Sequence, residues 1–563
     1  MIEDFYPVAP MQQGLLLPSL YEQQSGIYIE QIICSLHENL NGLALRQSWG
    51  GVLERHSILR TSFHHRHSNQ LMQTVSAQVQ LPWKEHDLRD LSQSEQQDQL
   101  NAYLQSDREL GFDIREAPLM RLALFQLAEA DYKLVWTFHH ALLDGRSFSI
   151  VLNEVFTVYE AICQNQDYDL AEPRSYKDFI NWLQQYSPPK AEEFWRQLLH
   201  GVTAPTPLPG FNTDVSTGMD AKVRVESSGE RSLRLSEETT SALQALAKDH
   251  QLTLNTIIQG VWALLLGRHS GQEDVVFGAI RAGRGSALKE IEQIKSMVGL
   301  FISTVPVRVK VDPNLSLLPW LKELRAQWMA MRDYEHTPLV EIQKWSEVPR
   351  GTPLFESLVM FENGEMNAEL RSQGGNWEHR EFELLEQIDY PLVLCAHAGT
   401  QLLLKIHYDS RRLGESEIDR ILEQLETMLQ GIAAQPDRCL WEVPILTPTE
   451  QHQLLVEWNN THTAYPKNVC IHQLFEALVQ QSSSGVASLA PDAVAVVYEN
   501  EQLTYQELNA RANQVAHHLQ TLGVKPDTMV GLFVERSLEM IVGLLGILKA
   551  GGAYVPVNST YPA

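Results

Sequence analysis

Two adjacent histidines, followed by an aspartate, carry the clearest chemical potential in this chain. Residues 138–145 read Phe-His-His-Ala-Leu-Leu-Asp-Gly, with imidazoles at His139 and His140 and a carboxylate at Asp144. A histidine held in an apolar setting resists charging, because desolvation favours the neutral ring. A neutral imidazole can accept a proton or a hydrogen bond from an incoming nucleophile near neutral pH. The run therefore predicts acyl-transfer chemistry centred on His140.

The residues before the pair predict a β-strand over 132–139. Leu134, Trp136 and Phe138 share one face of that strand, and the same alternation points His140 toward this apolar side. The preceding histidine points the opposite way, which favours structural support over chemistry as its role.

The residues after the pair predict a loop and then a helix. Asp144-Gly145 offers a turn. Apolar side chains then recur at helical spacing, at Phe148, Val151, Leu152, Val155, Tyr159 and Ile162. Backbone N–H groups near Gly145 would lie at the helix start, where they could stabilise an oxyanion.

Asp144 is predicted to support the loop, with general acid as the minor alternative. A carboxylate beside an apolar strand end needs a partner. The basic residue favoured for that pairing is Arg60, within residues 55–63, Arg-His-Ser-Ile-Leu-Arg-Thr-Ser-Phe.

Length and charge restrict the class of protein. A chain of 563 residues predicts several domains, since single cores rarely grow past about 250 to 300 residues. Acidic residues outnumber basic ones by 70 to 44, for a net charge of −26. This balance argues against a nucleic-acid or anionic-membrane partner.

Cysteine usage and apolar runs indicate a cytoplasmic protein. The five cysteines are scattered without metal-type spacing, which suggests a reducing compartment and no disulfide framework. The first residues lack the basic and apolar regions of a signal peptide. The apolar stretch at 540–557 is interrupted by Lys549 and by three glycines after Leu545, well short of a membrane span.

Two further histidine clusters are given no chemistry. Residues 64–67, His-His-Arg-His, lie beside a predicted hairpin tip without nearby Cys, Asp or Glu, and the interposed arginine repels cations. A solvated loop is favoured there over a metal site. His517 and His518 lie on a predicted helix with no Asp-Gly behind them.

The remaining pattern predicts alternating helices and strands. Strands are expected near 120–126 and 304–311, helices at 237–250 and 255–268, and a hairpin turn at 128–131. Pro-rich segments punctuate the chain at 187–189 and 204–210. The second, in a polar stretch that continues to about residue 229, predicts a crossing between lobes, and residues 482–485 predict a surface insertion.

The chain resembles the condensation domains of non-ribosomal peptide synthetases. Their hallmark, His-His-x-x-x-Asp-Gly, is matched by residues 139–145 in every fixed position. The flanks match too: residues 6–14 resemble the family's opening motif, 55–63 its second and 298–308 a late one. Residues 176–179 with Trp182, and 193–195, also fall where the family has them. Coincidence of so many motifs is remote.

The resemblance implies a mixed α/β fold in which two chloramphenicol-acetyltransferase-like lobes form a pseudo-dimer around a tunnel. The expected lobes are residues 1–175 and 176–440, followed by a linker at 441–470. His140 would be the central catalytic residue at the lobe junction. His139 and Gly145 would stand beside it in the catalytic site.

The tail resembles the start of an adenylation domain. Residues 503–508 and 548–556 resemble that family's first two core motifs, with Asn558 where Asp is usual. Residues 471–563 are therefore expected to be a truncated adenylation region. Because the later Gly-rich phosphate loop is not in the sequence, this fragment is not expected to activate amino acids.

The function implied by the resemblance is peptide-bond formation between two carrier-bound substrates. An upstream donor carrier and a downstream acceptor carrier would present them on 4'-phosphopantetheine arms, with the rest of the adenylation domain as a further partner. The resemblance implies no bound cofactor or metal in this fragment.

The subtype stays open, and so do two further classes of function. Residues 6–14, 111–113 and 298–308 look most like domains that accept a D-configured donor and an L-aminoacyl acceptor. Arg146 and Ala141 depart from that pattern, and a polyketide or modified acyl donor is the competing interpretation. An epimerisation domain and a catalytically silent recruitment domain compete with condensation itself.

Overall fold

The computed structural model describes residues 1–21, 26–65, 70–185, 190–208, 228–287, 291, 293–364, 366–371, 375–386, 390–481 and 492–558. The chain divides into two compact units, Met1–His452 and Gln453–Ala563. Both units are mixed α/β, as the resemblance implied. Arg66, His67, residues 187–189, 209–210 and 482–485, about which the sequence made predictions, lie outside the described residues.

Helices and strands alternate along the chain. The helices are α1 (Pro10–Tyr21), α2 (Gly42–Arg55), α3 (Gln93–Leu110), α4 (Gly145–Gln164), α5 (Tyr176–Gln185), α6 (Ala191–Leu198), α7 (Glu237–Asp249), α8 (Leu254–Ser270), α9 (Arg284–Ala287), α10 (Leu317–Ala330), α11 (Leu339–Trp345), α12 (Met366–Arg371), α13 (Glu415–Ala434), α14 (Pro448–His452), α15 (Ile471–Gln481), α16 (Tyr505–Thr521) and α17 (Leu538–Lys549). Short 3-10 turns lie at Ser57–Arg60, Ile294–Ser296, Met331–Tyr334, Gly375–His379 and Leu440–Glu442.

The strands are β1 (Ile2–Pro7), β2 (Ile29–Leu36), β3 (Thr61–His65), β4 (Leu71–Ser76), β5 (Trp83–Asp87), β6 (Met120–Ala128), β7 (Asp131–His139), β8 (Ser228–Arg234), β9 (Asp274–Arg281), β10 (Ser303–Lys310), β11 (Ser357–Glu362), β12 (Arg380–Leu385), β13 (Leu392–His397), β14 (Leu403–Asp409), β15 (Val494–Tyr498), β16 (Glu501–Thr504), β17 (Met529–Leu532) and β18 (Ala553–Pro556). The strands and helices predicted at 120–126, 132–139, 237–250, 255–268 and 304–311 are confirmed within a few residues at their ends.

Two large sheets organise the first unit. One has the order β12-β2-β7-β6-β5 and the other β10-β9-β11-β13-β14-β8. A small sheet, β1-β4-β3, completes the unit. The predicted hairpin joins β6 to β7, with Ala128 opposite Asp131.

Each large sheet has its own apolar core. The first core surrounds Trp49, Trp136 and Phe156. The second surrounds Trp262 and Phe277. Helices that present apolar stripes cover these cores, which is why α4 buries eight of its residues.

The change from one core to the other does not coincide with the expected boundary at residue 175. Tyr176, Phe179 and Ile180 on α5 belong to the first core. Trp195 and Leu199 already belong to the second, so the predicted crossing at 204–210 lies too late in the chain. The packing of apolar side chains sets the boundary between the two cores, whereas the predicted crossing relied on the positions of prolines.

Two segments that lie later in the chain pack on the first core. The prediction of one contiguous second lobe at 176–440 did not include this. β12 pairs with β2 at the edge of the first sheet, with Arg380 opposite Leu36. Residues between Ile291 and Phe301 also pack into the first core. The lobes are therefore interlocked by the chain itself.

The second unit is a smaller assembly. α15, α16 and α17 accompany the two ladders β15-β16 and β17-β18, around a core that includes Leu503, Leu508, Leu538 and Val542. Residues 458–470, within the expected linker, form no helix or strand and are exposed. In the described part of the chain, no helix combines the length and apolar character needed to cross a membrane.

Candidate active site

The loop that follows β7 is shaped by backbone hydrogen bonds. The His140 N–H donates to the Tyr28 carbonyl at 2.8 Å, which ties the loop to the start of β2. The Leu142 N–H donates to the His139 carbonyl at 3.0 Å, and the Leu143 N–H to the His140 carbonyl at 3.3 Å. These bonds fix where both imidazoles lie.

His140 is held as a neutral base. Its Nδ1 lies 2.9 Å from the Leu143 carbonyl oxygen. Because a carbonyl can only accept, Nδ1 must carry the hydrogen and the neutral ring keeps a lone pair on Nε2. Burial lowers the pKa of His140 below its ordinary value, although the Leu143 carbonyl and the Asp144 charge oppose that shift.

His139 is fully buried, and both its ring nitrogens are occupied. Its Nδ1 accepts from the Ala141 N–H at 3.1 Å, so its Nε2 donates to the Ser19 hydroxyl at 3.0 Å. Burial lowers the pKa of His139 to about 3, and the nearby His140 adds to this shift. The ring supports the loop and joins it to α1, rather than meeting a substrate.

The strand alternation does not extend to His140, which corrects the expected orientation. β7 ends at His139, and both faces of the strand are apolar, with Val135 in a small third core and Trp136 in the first. His140 follows in the turn, half-buried, and its ring lines a cavity instead of the apolar core.

Asp144 caps α4 and binds an arginine from the other lobe. Its carboxylate accepts from the Ser147 N–H at 2.9 Å, as an N-cap does. It also accepts from Arg284 Nη1 at 2.7 Å and from the Phe301 N–H at 3.1 Å. Arg284 lies over the Phe301 ring at 3.9 Å. The structural role predicted for Asp144 fits these contacts.

The prediction that Arg60 pairs with Asp144 is wrong, because Arg60 lies elsewhere. Its guanidinium contacts Glu3 at 2.6 Å and the Ser76 carbonyl. Arg60 ends a 3-10 turn that packs against the small sheet, so it ties that sheet together instead of holding Asp144. The cation that Asp144 needs comes from residue 284, which is 140 positions away.

Gly145 is the first residue of α4. Asp144 accepts from the N–H groups of Ser147 and Phe148, which leaves those of Gly145 and Arg146 without an acceptor inside the helix. A Cβ at position 145 would stand 3.6 Å from both Glu362 Oε1 and the Phe148 ring, which is an ordinary contact distance. The helix start therefore lies beside β11 without a steric need for glycine.

His140 opens onto a cavity of about 570 Å³ between the two lobes. The first lobe contributes α1, Tyr28, Glu30 and, directly after its edge strand β12, Glu386 to the walls, and the second contributes β11, α11 and Tyr390. This volume suits a drug-sized ligand. The histidine therefore meets an accessible space where two reactants could approach.

Sequence reasoning missed Arg284, Glu30 and Glu386. A signal for Arg284 lay in the preceding residue, Gly283. Gly283 has φ +68°, and a Cβ added there would stand 1.7 Å from the Phe301 carbonyl oxygen. Only glycine allows this close approach of two backbones. The Gly-Arg-Gly run at 283–285 thus marks the place where Arg284 enters the site.

Comparison with known proteins decides the family. Residues 2–455 match the family model described as "Condensation domain". The chain belongs to this family. Residues 485–563 match the model described as "AMP-binding enzyme", so the condensation domain is followed by an adenylation fragment.

The curated relatives of this condensation domain are large synthetases. The chain is 44% identical over 563 residues to one of the linear gramicidin synthase polypeptides of Brevibacillus parabrevis, covering 100% of this chain and 11% of that protein. It is 43% identical over 561 residues to another polypeptide of the same synthase, covering 100% of this chain and 7% of that protein. The chain spans about a tenth of the length of these relatives.

The solved structure of the nonribosomal peptide synthetase FmoA3 shares the fold. Its TM-score is 0.74 at 20% identity, with 100% of this chain and 56% of that chain covered. At this identity the likeness shows the fold alone.

Proposed function

We propose that this condensation domain forms an amide bond between an upstream carrier-bound acyl or peptidyl thioester and the amine of a downstream carrier-bound aminoacyl thioester. The observation that carries the proposal is the His140 ring, pinned through Nδ1 at the wall of a cavity between two lobes. A free Nε2 lone pair in that position can receive a proton from an attacking amine.

Positioning and proton transfer divide the work in the proposed reaction. An α-amine has a pKa of about 8, so a useful fraction is neutral before it binds. The cavity would hold that amine against the thioester carbonyl, which gives the advantage of proximity. His140 would accept the proton lost as the C–N bond forms and pass it to the departing thiolate. The N–H groups at Gly145 would stabilise the oxyanion.

The carriers and their arms are part of the proposal. A donor carrier and an acceptor carrier would each deliver a substrate on a 4'-phosphopantetheine arm, and neither arm belongs to this chain. The remainder of an adenylation domain would be a further partner within the synthetase. The chain would be active in the cytoplasm.

A D-configured donor and an L-aminoacyl acceptor form the proposed subtype. Residues 6–14, 111–113 and 298–308 support it by resemblance. A pair of synthetic donors that differ only in the configuration of the last residue tests it. Faster turnover of the D-configured donor is expected, and equal or faster turnover of the L-configured donor would contradict the subtype.

The product's mass tests the proposed reaction against its rivals. The chain would be incubated with one acyl-pantetheine donor and one aminoacyl-pantetheine acceptor, and the products separated by chiral chromatography with mass detection. A product of summed acyl and aminoacyl mass is expected. An unchanged mass with inverted configuration would indicate epimerisation, and no conversion would indicate recruitment; either result overturns the proposal.

A further inference from the structure

Two glutamates face each other at the end of a strand pair inside the first unit. β12 pairs antiparallel with β2, with Leu384 opposite Ile32 and Leu385 opposite Gln31. Glu386 directly follows β12, and one further step along this register would set it opposite Glu30. Directly opposed residues of an antiparallel pair project to the same face. The charge of Glu386 acts on Glu30, as expected for neighbouring carboxyl groups.

The pair lies in the cavity that His140 lines. Glu30, Glu386 and His140 are all part of its wall. Glu30 is 3% exposed, and within the described part of the chain its Oε2 has no hydrogen-bond partner. A buried carboxyl oxygen without a donor is costly, so this oxygen is aimed at something the cavity receives.

The surrounding charges leave the pair only partly neutralised. Arg108 attracts Glu30, while Glu386 repels it. Around Glu386, the negative Glu362 and Glu230 oppose His397 and Lys405. Lys405 is itself paired with Glu230 at 3.0 Å, and His397 with Glu362 at 3.3 Å.

Burial and mutual repulsion make the pair retain a proton. Burial, and then the charge of Glu386, raise the pKa of Glu30 well above its ordinary value. Burial, and then the charge of Glu362, raise the pKa of Glu386 to about 7. Two facing carboxyl groups that share one proton carry one negative charge between them near neutral pH.

We propose that the Glu30–Glu386 pair binds the ammonium group of the acceptor substrate and takes its first proton, before His140 acts. The inference rests on the proposed function. A substrate ammonium supplies the hydrogen-bond donors that Glu30 Oε2 lacks and the positive charge that the pair attracts.

The proton balance assigns separate roles to the pair and the histidine. An N–H bond of the ammonium breaks, its electron pair stays on nitrogen, and the proton moves to a Glu386 carboxylate oxygen. The neutral amine then attacks the thioester carbon. His140 accepts the second proton as the C–N bond forms and returns it to the thiolate when the C–S bond breaks. Glu386 releases its proton to water before the next turnover.

A binding experiment tests the pair without any condensation. The probes are glycyl-pantetheine with an amide in place of the thioester, and the matching acetyl compound, which lacks the amine. In the intact chain at pH 7.0, where the amine is charged and the pair carries its negative charge, the glycyl probe should bind on the order of tenfold tighter, equivalent to about one pKa unit of preference for the charged group. Glu386→Gln and, independently, Glu30→Gln should abolish this preference.

The matched control is Glu383→Gln. Glu383 lies on the same strand, β12, but is exposed and outside the cavity wall, so its loss should leave the preference intact. Equal binding of both probes to the unchanged chain would overturn the inference, as would an unaltered preference in a folded Glu386→Gln or Glu30→Gln variant. Thermal melting establishes that each variant is folded.

Kinetics with two acceptors separate this inference from the proposed function. An α-amine acceptor needs a proton removed at pH 7.0, whereas a weakly basic aminooxy acceptor is already neutral. With Glu386→Gln, the rate for the amine should fall about tenfold at pH 7.0 and little at pH 8.5, where the amine is largely neutral. The aminooxy rate should be unchanged at both pH values. Equal losses for both acceptors would refute the role of the pair, whereas no condensation by the unchanged chain would refute the proposed function.

Discussion

The two lobes contribute to the active site in different ways. The first lobe supplies a contiguous run, residues 139–145, in which one loop carries both histidines and the helix cap. Segments that lie later in the chain supply separate parts: Arg284, the Phe301 backbone and Glu386. The first contribution is a local motif, whereas the second exists only after distant segments have packed together.

His140 and Asp144 depend on these two contributions in different ways. His140 can act with the geometry of its own loop, because the Leu143 carbonyl that fixes its tautomer is three residues away. The loop keeps its place through the buried contact of Asp144 with Arg284, supported by the hydrogen bond from the Phe301 N–H and by those between Ser147 and Gly299. We therefore expect replacement of His140 to affect turnover most strongly and replacement of Arg284 to affect stability most strongly.

Replacement of His140 should give the largest effect on turnover. His140→Ala should lower the rate of condensation by about 10² to 10⁴-fold, the usual contribution of a general base. The melting temperature should change little, because the ring is half-buried at a cavity. Single-turnover mass spectrometry measures the rate. His37→Ala is a matched control, since His37 is an exposed histidine paired with Asp131 on the same sheet; an equal loss there would contradict the local assignment.

Replacement of Arg284 should give the largest effect on stability. Arg284→Met leaves the Asp144 charge buried without its cation, which should reduce the free energy of unfolding by about 3 to 5 kcal/mol. Asp144→Asn combined with Arg284→Met should recover part of that loss. Urea unfolding measures both. If Arg284→Met had no effect on unfolding, the contact between the lobes would not be structural.

His139 should show a smaller effect, one that depends on pH. His139→Gln should reduce the free energy of unfolding by about 1 to 3 kcal/mol, because the Ala141 N–H and the Ser19 hydroxyl lose their partner. Condensation should be retained better than in His140→Ala.

The pH dependence follows from the direction of the His139 shift. Its folded pKa of about 3 lies below the ordinary 6.5. The unfolded chain therefore binds more protons, and the stability due to His139 is lost as the pH falls from about 6.5 toward 3. The difference in unfolding free energy between the unchanged chain and His139→Gln should shrink over that range. A constant difference would contradict the buried neutral ring.

Glu3 should give the smallest effect. Glu3→Gln removes the carboxylate that pairs with Arg60, but the Glu3 side chain is 47% exposed. Such pairs contribute about 0 to 1 kcal/mol, so the unfolding midpoint in urea should move only slightly and condensation should be unchanged. A loss of turnover would contradict this assignment and support the sequence-based prediction that Arg60 belongs to the active site.

Sequence reasoning succeeded where neighbours along the chain determine structure. The strand before His139, the hairpin at Ala128 and the helix after Asp144 all follow from local periodicity and turn residues. It failed where a partner is distant. Arg60 was favoured for Asp144 on charge alone, and nothing in the spacing of residues 144 and 284 predicted that they meet.

The interlocking of the lobes was also beyond local pattern. β12 has the composition of an ordinary strand, and its pairing with β2 joins residues more than 340 positions apart. The glutamate pair arises from that pairing, so neither Glu30 nor Glu386 could be recognised before the register was known. Only Gly283 left a local trace of a contact between the lobes.

The protonation state of His140 tests the central claim most directly. Nitrogen-15 NMR of the histidine rings, with His140→Ala and His139→Gln used for assignment, reports which nitrogen carries the proton. At pH 7 the His140 ring should be neutral, with its proton on Nδ1 and a lone pair on Nε2. A ring protonated on Nε2, or on both nitrogens, at this pH would contradict the account.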